Sequence, residues 1–233
     1  RQTGRYGRGA SFYGQPGLTW AVRSSRFAPS ALPEGCIFST RGLCAFVSDP
    51  MMWLAVLNSK PLDVMFKVHL GRFEFPEFLA GVVPMLPAPT ISDEHATQLR
   101  VLARRGWAAS RQLDTGNETS HAFLLPAVLQ VVGDSLAGQL AAWDRHAAEV
   151  YSCVSLVQSE IDDLCFELYG ISEEDRLVIT KGFGVSDDGD DATGDGGDSD
   201  VSALTSNPVG LAARLVSWAV GVGVGRFDVR LAA

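Results

Sequence analysis

A long apolar stripe in the second half of the chain constrains the fold most. Between Leu136 and Leu168, apolar residues recur at intervals of three or four positions. The stripe consists of Leu140, Trp143, Ala147, Val150, Val154, Val157, Ile161, Leu164 and Leu168. This spacing predicts one long helix with a buried face, as in bundles and coiled coils. Gly170 is placed to end that helix as a C′ glycine, and Ser172 begins another.

Residues 54–89 predict a shorter helix followed by an extended segment. The apolar run LAVL leads into Asn58-Ser59, after which apolar residues fall at helical spacing. Prolines at positions 84, 87 and 89 then interrupt regular pairing, because they lack an N–H group. Asp93 opens a further helix whose polar face carries Arg100, Arg104 and Arg105. Those arginines fit either a solvated face or DNA contacts.

The first 47 residues predict a glycine-rich segment and a β-hairpin. Up to Phe27, arginines alternate with Tyr6, Phe12, Tyr13 and Trp20. Arginine pairs with phosphate or guanine, and aromatic rings stack on bases, so this composition fits either nucleic-acid binding or a connector that caps a core. From 31 to 47, the strands CIFS and LCAFV are predicted to pair with each other across the turn Thr40-Arg41-Gly42.

Charge is distributed unevenly along the sequence. The formal net charge is −8. Residues up to Gly116 contain 13 Lys and Arg against 8 Asp and Glu, which gives +5, and the remainder is therefore −13. The first 28 residues contain five arginines and no acid. Any surface that faces phosphate is therefore expected in the N-terminal half.

Cysteine usage and hydropathy indicate a reduced, cytoplasmic location. The four cysteines, Cys36, Cys44, Cys153 and Cys165, form no CxxC pair. No apolar run approaches the roughly 20 residues of a membrane span, so no membrane partner is expected. The N-terminus lacks the apolar region of a signal peptide. We also expect no metal site, because the histidines lack metal-ligand spacing.

Several motifs, taken in order, resemble the recognition region of large adenine-specific DNA methyltransferases. They are GLTW, LPEGCIFSTRG, LAVLNSK, VPMLPAP, NETSHAFLLP, EIDDLCFELYGIS and SWAVGVGVGRFDVRLA. The resemblance is to type IIG restriction-modification methylases and to bacteriophage-exclusion methyltransferases, which act in phage defence. It covers nearly the whole chain except an aspartate-rich stretch.

The resemblance implies DNA target recognition within an adenine-N6 methyltransferase. The parent enzyme would use S-adenosylmethionine, and the partners would be double-stranded DNA and the catalytic domain of the same polypeptide. In that family an Asn/Asp-Pro-Pro-Tyr/Phe motif holds the flipped adenine. Asp49-Pro50-Met51 and Asn207-Pro208-Val209 lack its second proline and aromatic residue. We therefore expect a fragment with no catalytic or cofactor-binding residue, which is inactive alone.

The predicted fold class is an α/β (mixed α+β) target-recognition domain followed by a helical segment. We place the recognition domain at 1–113 and the helical segment at 114–184. Residues 185–201 contain seven aspartates and almost nothing apolar, which predicts an acidic, disordered linker. Residues 202–233 are expected to form an apolar helix that starts at Pro208, with a truncated extension.

Six basic and two aromatic residues are the predicted DNA contacts. They are Arg5, Arg8, Tyr13, Trp20, Arg23, Arg26, Arg41 and Lys60. The basic residues would combine phosphate positioning with base readout, and the two rings would stack or wedge. The DNA target itself does not follow from these residue types.

Two other functions remain open from sequence. His121 or His146 in a hydrolytic site would make the chain a free-standing enzyme, although no nucleophile elbow accompanies them. Alternatively, the 136–168 stripe could dimerise and make the chain a helical protein-interaction scaffold without DNA binding. The adjacent Asp162 and Asp163 are expected on a solvated helix face, since neighbouring residues on a helix point in different directions.

Overall fold

Helices and one small sheet make up the part of the chain that the structure describes. The computed structural model describes residues 9–39, 42–73, 76–181, 208–228 and 230. It confirms the predicted mixed α+β class, with helices in the majority. The predicted acidic linker, 185–201, lies outside the described residues.

The chain divides into two compact units. The first consists of Arg1–Arg104 and Gln158–Ala192, and the second of Arg105–Val157 and Thr193–Ala233. Two of these division points fall inside long helices, whereas the sequence suggested boundaries at 113, 184 and 201. A long amphipathic helix can contribute its two ends to different cores, and composition along the chain carries no mark of such a division.

Three short strands form an antiparallel sheet in the first unit. They are β1 (Gly17–Trp20), β2 (Ser30–Leu32) and β3 (Leu43–Ala45), in the order β2-β1-β3. Leu18 lies opposite Ala31 on one side and Ala45 on the other. The predicted hairpin is therefore wrong, because LCAFV pairs with GLTW and residues 36–39 form no strand. Backbone bonds from Gly14 N–H to Cys36 O and from Gly35 N–H to Gly14 O hold that stretch instead.

Six α-helices account for most of the remaining described residues. They are α1 (Pro50–Leu57), α2 (Lys60–Leu70), α3 (Asp93–Asp114), α4 (Leu136–Leu168), α5 (Glu173–Lys181) and α6 (Pro208–Gly223). The α4 bounds, the Gly170 terminator with φ of 63° and the start of α6 at Pro208 confirm the predictions. Ser172 caps α5 by accepting from Asp175 N–H. None of the described helices has the length and apolarity that a bilayer crossing requires.

Aromatic rings form the centre of the first unit's core. Phe27 lies 4.8 Å from Phe66 and 5.2 Å from Phe78 between ring centroids, and all three rings are buried. Trp20 packs edge-on against Phe27, and its indole N–H donates to Phe78 O at 2.7 Å. These rings join the sheet, α2 and the segment around Phe78. The buried indole N–H of Trp20 is satisfied by the Phe78 carbonyl.

The predicted apolar stripe of α4 is buried within the chain. Trp143, Ala147, Val150, Val157 and Ile161 are all buried, which confirms the helical spacing. Trp143 belongs to the core of the second unit, together with Ala127, Val128 and Leu211. Five of the nine stripe residues are therefore covered within the chain, which leaves less of this face for the dimerisation that the scaffold alternative required.

A buried polar junction connects α1 and α2 with the C-terminal half of α4. Asp162 has 3% of its surface exposed and accepts from Lys60 N–H and Gln158 Nε2, each at 2.9 Å. Gln158 Nε2 also donates to Asn58 O at 3.1 Å. The expectation that Asp162 is solvated is therefore wrong. Its carboxylate lies at the N-terminus of α2, where backbone N–H groups without an intrahelical acceptor favour a negative charge.

The Asp162 and Asp163 carboxylates provide a matched test of this junction. Asp162→Ala should lower the free energy of unfolding by about 1–3 kcal/mol, because it leaves the buried Lys60 N–H without an acceptor and removes one of the two acceptors of Gln158 Nε2. Asp163 is exposed and pairs with Arg176, so Asp163→Ala should cost less than about 1 kcal/mol. Urea denaturation followed by circular dichroism measures both. Equal losses in the two variants would contradict the assigned role of Asp162.

Cys165 lies in the same junction, one helical turn after Asp162. Burial raises the pKa of its thiol to about 11, a hydrogen bond with Ser59 acts in the opposite direction, and the charge of Asp162 raises it further. The folded state therefore keeps this proton at pH values where the unfolded chain, with a pKa near 9.0, has lost it.

This difference predicts a loss of stability at alkaline pH. Between about pH 9 and 11 the unfolded state binds fewer protons, so the free energy of unfolding should fall as pH rises, by an amount on the order of 2 kcal/mol. Urea unfolding at pH 8.5 and at pH 10.5 should show a smaller fall for Cys165→Ala than for the parent chain. An identical fall in both proteins would exclude Cys165 as its source.

Candidate nucleic-acid interface

The loop between β1 and β2, residues 21–29, carries two of the predicted DNA contacts. Its first part is fixed by Arg23, whose Nε donates to Glu77 Oε1 at 2.7 Å. Arg23 and Glu77 also form a backbone bridge, and Phe78 N–H donates to Val22 O at 2.7 Å. The positive charge of Arg23 is therefore paired, although both side chains remain largely exposed.

The second part of this loop is fixed from inside the unit. Phe27 N–H donates to Asp63 Oδ1 at 2.7 Å, while the Phe27 ring is buried in the aromatic core. The other oxygen of Asp63 lies 2.7 Å from Lys67 Nζ. One oxygen of this carboxylate therefore joins the loop to α2, and the other forms an ion pair with Lys67 on the same helix.

Arg26 projects from this fixed loop. Its side chain is exposed and makes no hydrogen bond or ion pair with any described residue. The Arg26 carbonyl accepts from Ser24 Oγ, which stabilises the turn that carries the side chain. An unpaired guanidinium on a rigid loop can engage phosphate or a guanine edge with little ordering cost.

Among the other predicted basic contacts, Lys60 is only partly available. Its side chain is half exposed, but Nζ lies 3.6 Å from the buried Asp162 carboxylate. Arg5, Arg8 and Arg41 lie outside the described residues. The structure therefore leaves Arg26 as the predicted basic residue with an unpaired charge, among those that it describes.

The two predicted stacking residues lie in different surroundings. Trp20 is buried in the aromatic core, where its N–H group is satisfied, so its ring does not face solvent. Tyr13 is exposed and meets Phe38 edge-on at a centroid distance of 5.0 Å. The sequence could not separate these cases, because the surroundings of each ring depend on distant residues, Phe78 for Trp20 and Phe38 for Tyr13.

Tyr13 belongs to a cluster of four aromatic rings that sequence reasoning missed. Phe12 stacks on Phe46 at 4.9 Å with an interplanar angle of 19°, and Phe38 lies 5.4 Å from Phe46. None of the four rings is fully buried. Their positions are separated by up to 34 residues, so only the pairing of β1 with β3 brings them together.

Two of the arginines on α3, Arg100 and Arg104, lie in different surroundings. Arg100 Nε lies 2.6 Å from Asp49 Oδ2, and the other Asp49 oxygen accepts from Met52 N–H at the start of α1. Asp49-Pro50 therefore serves as a helix cap and ion-pair partner. Because both oxygens of its carboxylate are engaged, Asp49 does not fit the role of an adenine-binding motif. Arg104 is exposed.

His121 and His146, the candidates for a hydrolytic site, lie in different surroundings. His121 is exposed, and His146 packs beside Trp143 at 5.4 Å. In the described ranges neither imidazole hydrogen-bonds a Ser or Cys side chain. The same ranges contain no group of three His, Cys, Asp or Glu side chains that could hold a metal ion.

Comparison with known proteins relates the chain to a methyltransferase. No family model matches it. The adenine-specific methyltransferase PglX from Lacticaseibacillus casei (strain Zhang) is 23% identical over 187 residues, which cover 75% of this chain. The aligned region is 15% of the length of that relative. The chain is therefore similar in sequence to one region of an adenine-specific methyltransferase.

Proposed function

We propose that the chain recognises a short DNA sequence within an S-adenosylmethionine-dependent, site-specific adenine-N6 DNA methyltransferase. The similarity to PglX is the observation that carries this proposal, because it extends over 75% of the chain. The chain itself lacks the Asn/Asp-Pro-Pro-Tyr/Phe motif, so its contribution to such an enzyme is not methyl transfer. Holding and reading the duplex is the task that remains for a region of this kind.

The charge distribution supports a polyanionic partner. Residues 1–47 contain six arginines and one acid, Glu34, in a chain whose net charge is −8. Repulsion from the acidic remainder would orient DNA toward this basic segment. Arg26 gives the segment an exposed, unpaired contact, and Arg23 could exchange Glu77 for a phosphate without leaving its loop.

The rest of the proposed enzyme would supply the chemistry. A catalytic domain of the same polypeptide would bind S-adenosylmethionine, receive the flipped adenine and transfer the methyl group to N6. Both a type IIG restriction-modification system and a phage-exclusion system fit this assignment. In either system the protein would work in the bacterial cytoplasm, where its DNA substrate lies.

Duplex binding over a range of salt concentrations tests the proposal. The parent chain should bind double-stranded DNA with an affinity that falls steeply with salt. Arg26→Ala should weaken binding to every duplex and reduce the slope of log K against log salt by about 1 if the guanidinium contacts phosphate. Fluorescence anisotropy with a labelled duplex of mixed sequence, from 50 to 200 mM salt, measures both quantities.

Arg145→Ala is the matched control, since it removes one exposed arginine from α4. It should leave the affinity and the salt dependence near those of the parent chain. If both substitutions weaken DNA binding equally, Arg26 acts only through the net charge of the chain and not through a specific contact. Absence of duplex binding at 50 mM salt by the folded chain would overturn the proposed function.

A further inference from the structure

The cluster of Phe12, Tyr13, Phe38 and Phe46 is separate from the hydrophobic core. Phe12 and Tyr13 expose 43% and 42% of their surfaces, whereas the core rings are buried. Ile37, next to Phe38, exposes 77%. An apolar side chain can be exposed by chance, but the four contacting rings form a contiguous patch, and the exposed Ile37 directly precedes one of them in sequence.

This patch stands on a rigid support. The segment that carries Phe12 and Tyr13 is bonded to the segment before Phe38 through Gly14 N–H to Cys36 O, at 2.9 Å, and Gly35 N–H to Gly14 O, at 3.0 Å. Gly17, at the start of β1, lies directly under Phe46, where a Cβ atom would come within 3.0 Å of the ring. The rings are therefore held in place before any partner arrives.

Two glycines leave the backbone beside the rings without side chains. Gly14 and Gly35 have φ of 82° and 83°, a conformation that side chains other than glycine rarely adopt. A Cβ at either position would meet no atom within 4 Å, so both glycines face open space. A flat partner can consequently approach the main chain closely on this side of the patch.

Charge identifies the class of partner. The rings all lie within residues 1–47, the segment with six arginines and one acid. Arg8 and Arg41 lie outside the described residues, and in sequence each is within five residues of a ring of the cluster. Rings combined with arginines suit a partner that offers both flat π-faces and phosphates, which is the chemistry of nucleic acid.

We infer that Ile37 and the Phe12 ring form a wedge that enters between stacked bases of duplex DNA, with Tyr13, Phe38 and Phe46 as its support. This inference rests on the proposed function and deepens it. Exposed Ile and Phe side chains are the residue types that separate base steps in DNA-bending proteins. A wedge at the recognition site would lower the cost of extracting the target adenine, which the catalytic domain requires.

Duplexes with a weakened stack test the wedge. Mismatched or abasic positions have already lost part of their stacking, so a wedge binds them more tightly than a perfect duplex. We expect the parent chain to prefer a 20-base-pair duplex with a central abasic position over the perfect duplex by about tenfold. The ratio of the two affinities is the readout, because phosphate contacts contribute equally to both duplexes.

Two variants should lose this preference. Ile37→Ser removes a side chain that is almost entirely exposed, so the fold should survive. Phe12→Ser removes both the ring and its apolar surface from beside Phe46. In both, the affinity ratio should fall to about twofold or less, while binding to the perfect duplex remains salt-dependent. Circular dichroism and thermal unfolding establish that each variant is folded.

Trp107→Leu is the control, because Trp107 exposes 39% of its surface on α3, outside the cluster. It should keep the parent preference. A parent chain that binds the perfect duplex with no preference, or folded variants that retain the preference, would overturn the wedge and leave the proposed function intact. Stronger binding to single-stranded DNA than to either duplex would also overturn it. Absence of all duplex binding would overturn the proposed function instead.

Discussion

A single buried carboxylate joins parts of the chain that are a hundred residues apart. Asp162 on α4 accepts from Lys60 N–H at the start of α2 and from Gln158 on its own helix. A buried charge is costly unless donors surround it, so these bonds require α2 and this half of α4 to meet in one register. Its neighbour Gln158 extends the network to Asn58 at the end of α1. The arrangement of α1 and α2 depends on that register.

From α2, the constraint extends to the surface that we assign to DNA. Asp63, in the first turn of α2, holds Phe27 N–H and so fixes the end of the β1–β2 loop from which Arg26 projects. Phe66 on the same helix packs against the Phe27 ring. A recognition loop works best when the scaffold determines its conformation in advance, since ordering on binding costs affinity. The buried hydrogen bonds of Asp162 and Asp63 therefore help to fix the loop that carries the exposed Arg26.

Local patterns in the sequence were sufficient to predict α3 to α6 and several of their ends, but the single helix predicted across Asn58-Ser59 is two helices, α1 and α2. The period of the α4 stripe, the glycine at 170 and the proline at 208 act within one or two helical turns, so they can be recognised without knowledge of the fold. Strand pairing was not predictable in this way, because β1 pairs with two strands that lie at different distances along the chain, β2 and β3. The aromatic cluster and the burial of Asp162 depend on those non-local pairings, and both were missed. The exposure of Asp163 was predicted correctly, since an exposed carboxylate does not depend on a distant residue to replace its contacts with water.

The location of the family-like motifs clarifies what the resemblance measures. LNSK contributes Asn58 and Lys60 to the buried junction, and EIDDLC contributes Asp162 and Cys165. Two motifs that carry the resemblance therefore meet each other inside the first unit rather than at its surface. Residues of this kind maintain a frame, and a frame can be shared by proteins that read different DNA sequences. Under the proposed function, specificity would come from exposed positions mounted on this frame, such as the Arg26 loop and the aromatic cluster.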